Sequence, residues 1–146
     1  MTDSATSLPL ILLVEDNQDD ILLIRRAFER AGVGHQIQSV TSGADAIAYL
    51  RGDRPYDDRG KHPIPGLVLL DIKMPAIDGF EVLLWIRRQW ELSHVCVVML
   101  TTSDEIRDVN RAYKLGADSF LVKPLDFENA AELARSLDAT LARGHT

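Results

Sequence analysis

The sequence has only one cysteine, Cys96, so no disulfide can form within the chain and no CxxC pair is available for thiol redox chemistry. Set within Val95-Cys96-Val97-Val98-Met99-Leu100, it reads as a small buried strand residue. No apolar run reaches the ~20 residues that a membrane-crossing helix needs. Residues Met1 to Pro9 have neither a basic region nor a long apolar stretch, so no secretory leader is expected and the expected setting is cytoplasmic. Clusters of basic residues are missing as well. The formal net charge is −6, without any block of like charges, which argues against nucleic acid as a direct partner. Low-complexity segments and internal repeats are absent, and 146 residues suit one domain with a sizeable core. That domain is expected over residues 10–142, between short tails at 1–9 and 143–146.

What the chain does have is a regular alternation. Leu10 to Val14 is a short continuous apolar run stopped by Glu15-Asp16-Asn17, as suits a strand buried on both faces of a parallel sheet. Ile21, Ile24, Phe28 and Ala31 then recur at helical spacing, and Gly32 can end that helix. Gln36 to Val40 is a more polar strand candidate, followed by Thr41-Ser42 as caps for a helix carrying Ile47 and Leu50. Arg51 to Gly66 holds Pro55, Gly60, Pro63, Pro65 and Gly66 among charges and reads as a long loop.

Leu67 to Leu70 is the next buried strand, ending at Asp71. The helix after Pro75 is expected to place Gly79, Leu83, Ile86 and Trp90 on one face. Val95 to Leu100 forms the fourth strand and ends at Thr101-Thr102-Ser103. Asp104 then starts a helix with Ile106, Val109 and Tyr113 spaced along it and Gly116 at its end. Ser119 to Val122 is the fifth strand, before Lys123-Pro124. A last helix carries Phe127, Ala130, Ala134, Leu137 and Leu141. Repeated strand–helix units imply an α/β domain with a parallel sheet and helices on both faces.

Ligands of such sheets bind outside the carboxyl ends of the strands, where the strand order reverses. Here the first strand is followed by Glu15 and Asp16, the third by Asp71, the fourth by Thr101 and Thr102, and the fifth by Lys123. With strand order 2-1-3-4-5, the three carboxylates share one cleft. They cannot all stay ionised there without compensation. A divalent cation resolves the conflict, and Mg2+ is the natural candidate because it takes oxygen ligands and keeps several waters. Lys123 adds a positive charge and Thr101 a hydroxyl. This set of parts suits phosphoryl transfer, with Asp71 as a carboxylate nucleophile. Taken singly, Asp16 could be a turn former, Thr101 a helix cap and Lys123 a surface lysine; the joint pattern is what points to chemistry.

These residues resemble the receiver domain of two-component response regulators. Ile11-Leu12-Leu13-Val14-Glu15-Asp16-Asn17 looks like that family's first strand and acidic pair. Leu70-Asp71-Ile72-Lys73-Met74-Pro75-Ala76-Ile77-Asp78-Gly79 looks like its phosphoacceptor segment. Leu100-Thr101-Thr102-Ser103 and Phe120-Leu121-Val122-Lys123-Pro124 resemble its threonine and lysine motifs. The likeness runs from about Leu10 to Leu141. It implies a flavodoxin-like doubly wound five-stranded parallel sheet in the order 2-1-3-4-5. It also implies that Asp71 accepts a phosphoryl group from a phosphohistidine on a sensor histidine kinase. Glu15, Asp16, Asp71 and the main-chain carbonyl of Lys73 then bind Mg2+, while Thr101 and Lys123 contact the phosphoryl oxygens. Phe120, three residues before the lysine, is the aromatic that turns inward, and the fourth helix, fifth strand and fifth helix form the readout face.

Three positions depart from the family pattern. Glu15 stands where aspartate is frequent, Phe120 lacks a tyrosine's hydroxyl, and Thr102 is bulkier than the usual alanine or glycine, which suggests slow hydrolysis of the phosphorylated form. No output domain is expected after Leu141. The Arg51–Gly66 insertion, with the Glu15-Asp16-Asn17 start, is similar to the small stand-alone regulators that partner bacterial phytochrome kinases. That likeness implies a bacteriophytochrome as the kinase and a homodimer; a histidine phosphotransfer protein is a further candidate partner, and the sequence leaves onward transfer to it open.

Rival readings meet specific obstacles. A haloacid-dehalogenase-type phosphatase, a true enzyme, wants a second acid two residues after its nucleophile, where this chain has Lys73. A flavin carrier wants a phosphate-binding loop after the first strand, where Glu15 and Asp16 would repel the phosphate. A pseudo-receiver without chemistry has no need of Asp16, Asp71, Thr101 and Lys123 together. The expected function is thus a phosphoacceptor switch rather than a turnover enzyme.

Overall fold

The computed structural model describes residues 9–102, 106–126 and 128–135. Strands β1 (Ile11–Val14), β2 (Ile37–Val40), β3 (Leu67–Asp71), β4 (Cys96–Thr101) and β5 (Ser119–Val122) alternate with helices α1 (Gln18–Arg30), α2 (Gly43–Arg51), α3 (Gly79–Arg87) and α4 (Ile106–Lys114). A final helix, α5, covers residues 128–135. The strands form one parallel sheet in the order β2-β1-β3-β4-β5. This is the doubly wound arrangement expected from the sequence.

The continuous apolar runs are explained by burial on both faces. Along β1, Leu12 and Val14 enter a core shared with α2, α3 and α4, while Ile11 and Leu13 enter a second core shared with α1 and α5. β3 divides in the same way, with Val68 and Leu70 on one side and Leu67 and Leu69 on the other. Period-2 alternation therefore exists but is hidden, because both faces are dry. β2 lies at the edge of the sheet and is only half buried, which accounts for its more polar sequence.

Local signals placed the helix starts well. Asn17 caps α1 by accepting from the Asp20 N–H, Ser42 caps α2 by accepting from the Asp45 N–H, and Asp78 forms a capping box with Glu81 at α3. Two expectations change. α3 ends at Arg87, and Gln89 is extended, so Trp90 opens a short 3₁₀ turn instead of continuing the helical face; it is 82% exposed. In α4 the apolar residues that mark the helix do not bury it. Ala112 is its buried residue, while Ile106 and Tyr113 face outward. Phe127, Leu137, Leu141 and the expected helix start at Asp104 lie outside the described residues, as do residues 1–8 of the expected 1–9 tail and the tail at 143–146.

The Arg51–Gly66 loop is tied down. Arg59 donates to the main-chain carbonyls of Tyr49, Leu50 and His62, each at 2.9 Å, so it satisfies the open C-terminal end of α2. The Tyr49 hydroxyl donates to Pro63 O at 2.9 Å, and the rings of Tyr49, Tyr56 and His62 contact one another. Gln38 of the edge strand joins this loop through Lys61 O and the His62 ring. The loop thus packs at the β2 side of the molecule.

Candidate functional site

The strand registers bring the polar ends level with one another. Val14 pairs with Leu70, so Glu15 follows β1 where Asp71 ends β3. Asp71 pairs with Leu100, one residue before Thr101, and Thr101 pairs with Val122, one residue before Lys123. The Lys123 N–H then donates to the Thr101 carbonyl at 2.7 Å. β3 runs one residue past β1 and β4 one past β3, while β5 ends level with β4, and a cleft of about 200 Å³ lies at this carboxyl edge of the sheet. Glu15, Asp16, Asp71, Thr101, Thr102, Lys73 and Lys123 all line it, together with Asn17 and Asp20. Every site residue expected from the sequence is therefore in one place.

The acidic group is tight. One carboxylate oxygen from each of Glu15, Asp16 and Asp71 lies within 4.8 Å of the others. Glu15 and Asp71 are buried, whereas Asp16 is exposed at the mouth. An all-oxygen set with two buried members and one open side fits a hard divalent cation that retains waters. The longer Glu15 side chain is held at both ends. Its Oε2 accepts from the Asn17 N–H at 3.2 Å and its Oε1 from the Lys123 ammonium at 2.6 Å.

Burial pushes the Asp71 carboxyl up to about 7, and hydrogen bonding to Glu15 and the charge of Glu15 push the same way. Lys123 and the Lys73 N–H pull it down; the latter stands at a long 3.4 Å from Asp71 Oδ1. For Lys123, burial works against the ammonium, but its hydrogen bonds to Glu15 and Asp20 and the nearby Asp71 and Glu15 charges outweigh that and raise its pKa. The lysine does not sit on Asp71: its Nζ is 2.6 Å from Glu15, 2.9 Å from Asp20 and 3.7 Å from Asp71. Asp20 was not among the residues singled out from the sequence. It lies in the first turn of α1, and only the fold brings it to Lys123.

The loop after Asp71 is built to present it. The Ile72 N–H donates to Leu100 O at 2.9 Å, and the Gly79 N–H donates to Ile72 O at 2.8 Å, which closes the Asp71–Gly79 segment on itself. A Cβ on Gly79 would run into the Asp71 carbonyl and the Ile72 Cα, so only glycine lets α3 start this close to the phosphoacceptor candidate. Thr101 is fully buried, and Phe120 packs half-buried against the core on the α3 and α4 side. The Arg51–Gly66 loop supplies no residue to the cleft.

Chemically, the cleft can bind a divalent cation beside a buried carboxylate and meet an anion with an ammonium and a hydroxyl. The chain is similar to known proteins over most of its length. The response regulator receiver domain model matches residues 11–135. The probable methanogenesis regulatory protein FilR2 of Methanothrix harundinacea is 44% identical over 82% of this chain and 75% of its own length. Response regulator Rcp1 of Synechocystis is 30% identical over 95% of this chain and 92% of its own, and its Mn2+-bound structure superposes with a TM-score of 0.74 over 90% and 93% of the two chains. The structure of the bacteriophytochrome response regulator AtBRR is 38% identical and superposes with a TM-score of 0.79 over 92% and 94%.

Proposed function

The chain belongs to the response regulator receiver domain family, and on that premise we propose that Asp71 takes up a phosphoryl group from a phosphohistidine of a sensor histidine kinase, with Mg2+ bound beside it. The observation that supports this most directly is the placement of a buried carboxylate, two further acids, an ammonium and a buried hydroxyl around one cleft at the carboxyl edge of the sheet. In the transfer, an Asp71 carboxylate oxygen forms its bond to phosphorus as the histidine N–P bond breaks, and the electron pair of that bond returns to the imidazole nitrogen. Glu15, Asp16, Asp71 and the Lys73 carbonyl are the groups that would hold the cation. When bound, it neutralises phosphoryl oxygens and lets the clustered carboxylates ionise together. Lys123 supplies an ammonium, and Thr101 a hydroxyl donor, to the remaining oxygens.

No general acid stands two residues beyond Asp71, where Lys73 is found. The product is therefore a stored acyl phosphate and not a rapidly turned-over ester, and its output is a changed protein-binding face. Because its donor is charged from ATP, we place the protein in the cytoplasm. The likeness to the bacteriophytochrome response regulator AtBRR supports a bacteriophytochrome as the kinase, and the reverse chemistry would pass the group to a histidine phosphotransfer protein.

The deciding experiment is incubation with acetyl phosphate and Mg2+, followed by intact mass. The expected result is a single phosphate adduct that is absent without the cation and absent from Asp71→Asn. An unmodified parent protein under those conditions would leave only an interaction module on the same fold.

A further inference from the structure

Lys123 is held by acids from two different segments. Glu15 comes from the acidic pair after β1, and Asp20 from the first turn of α1. Asp20 is itself fixed, because its N–H donates to the Asn17 side-chain oxygen at 3.0 Å. An ammonium has three N–H donors. Two of them are engaged by Glu15, which lies beside the phosphoacceptor, and by Asp20, and this leaves Nζ at 3.7 Å from Asp71 Oδ1. The two acceptors differ in their surroundings: the Glu15 side chain is fully buried, whereas that of Asp20 is 28% exposed.

Resting on the reading of Asp71 as phosphoacceptor, we propose that Asp20 is a positioning residue for phosphoryl transfer, sharing Lys123 with Glu15 so that the ammonium stays at ion-pair distance from Asp71 without hydrogen-bonding it. The physical case has two halves. An ammonium seated on Asp71 would engage the oxygen lone pair that must attack phosphorus, in a buried charge-assisted contact that is hard to break. Seated on Asp20, it stands a short step from any oxygen that arrives on Asp71. The phosphoryl group brings extra negative charge to that side and draws the ammonium across. Asp20, already part-exposed, is then solvated by water at little cost. No proton leaves Lys123 in this sequence; the only bonds that change are the N–P bond broken and the O–P bond made.

Asp19 is a built-in control. It lies in the same first turn, carries the same charge and is exposed, but it is not one of the acids that meet Lys123. The test uses the full chain and two readouts. One is the rate of adduct formation from acetyl phosphate at saturating Mg2+; the other is the side-chain ammonium NMR signal of Lys123 in metal-free protein. We expect Asp20→Asn to slow adduct formation about tenfold, the scale of one lost charge-assisted hydrogen bond, and to shift the Lys123 signal. Asp19→Asn should change neither. Asp20→Glu, which keeps a carboxylate on the same turn, should restore most of the rate. In a Lys123→Met background, Asp20→Asn should cause no further slowing, because its effect runs through the lysine. If Asp20→Asn behaves like Asp19→Asn, or still slows the Lys123→Met protein, the positioning role is overturned while the receiver reading stands. If the parent protein takes up no phosphoryl group, the receiver reading fails and the role of Asp20 falls with it.

Discussion

The Asp71 carboxyl titrates at about 7 where its ordinary value is 3.8, mainly because it is buried and secondly because Glu15 stands beside it. Below about 7 the folded protein therefore holds a proton in the cluster proposed to hold a divalent cation. Cation binding has to expel that proton, so Mg2+ affinity should fall about tenfold per pH unit as the pH drops below about 7, and level off above it. Titration calorimetry from pH 5 to 8 measures this, and Asp71→Asn should lose the slope. The same shift has a stability consequence with a definite sign. Between 3.8 and about 7 the folded state binds a proton that the unfolded chain has lost, so stability in the absence of metal falls as the pH rises through that window. Asp71→Asn should therefore be more stable than the parent at pH 8, by roughly 1–3 kcal/mol, with little difference near pH 4. Denaturant melts at the two pH values check it, and equal differences at both would show that burial, not charge, separates the variants.

At the scale of elements, the sheet was legible because buried parallel strands advertise themselves as short apolar runs, and the cleft was legible because each run ends in a polar residue of a definite type. What the sequence hid were choices that only packing decides. The periodicity continuing to Trp90 could not reveal that α3 stops at Arg87, and Ile106 and Tyr113 have the spacing of a buried stripe although Ala112 occupies the core. Asp20 was hidden for another reason: its partner Lys123 is more than a hundred residues away, a distance closed only by the fold. The Asp-Gly pair that opens α3 is a case in which motif and packing agree. Asp78 caps the helix, and Gly79 lets it start against the Asp71 carbonyl. Gly79→Ala should gain helix propensity but meet main chain, so we expect a net loss of about 2–4 kcal/mol and a slower phosphoryl uptake, since the strand end carrying Asp71 must shift. Urea melts and adduct formation measure the two effects. An alanine variant as stable as the parent would mean that the β3–α3 junction yields without cost.

For the whole molecule, the relevant surface is the one away from the insertion. β5 is the last strand of the sheet, and beside it α4 shows Ile106, 76% exposed, and Tyr113, 50% exposed, seven residues apart and so on one helical side, with Val122 of β5 at 42%. Trp90, although more exposed, belongs to a separate turn. Phe120 of the same strand faces inward onto the core, so β5 joins the cleft through Lys123, the core through Phe120 and the surface through Val122. A strip of this kind costs free energy while wet, and a second copy of the chain can cover it with an identical strip about a two-fold axis. Such a partner also suits a protein of net charge −6 only if the contact is led by apolar atoms, as Ile106, Tyr113 and Val122 would lead it. We therefore expect a dimer by sedimentation at micromolar concentration, and monomers for Ile106→Glu and Val122→Glu, each of which puts like charges face to face. Both substitutions fall on exposed side chains outside the cleft, so both variants should still form the Asp71 adduct. A parent protein that stays monomeric with and without the phosphoryl group would assign this strip to a different partner.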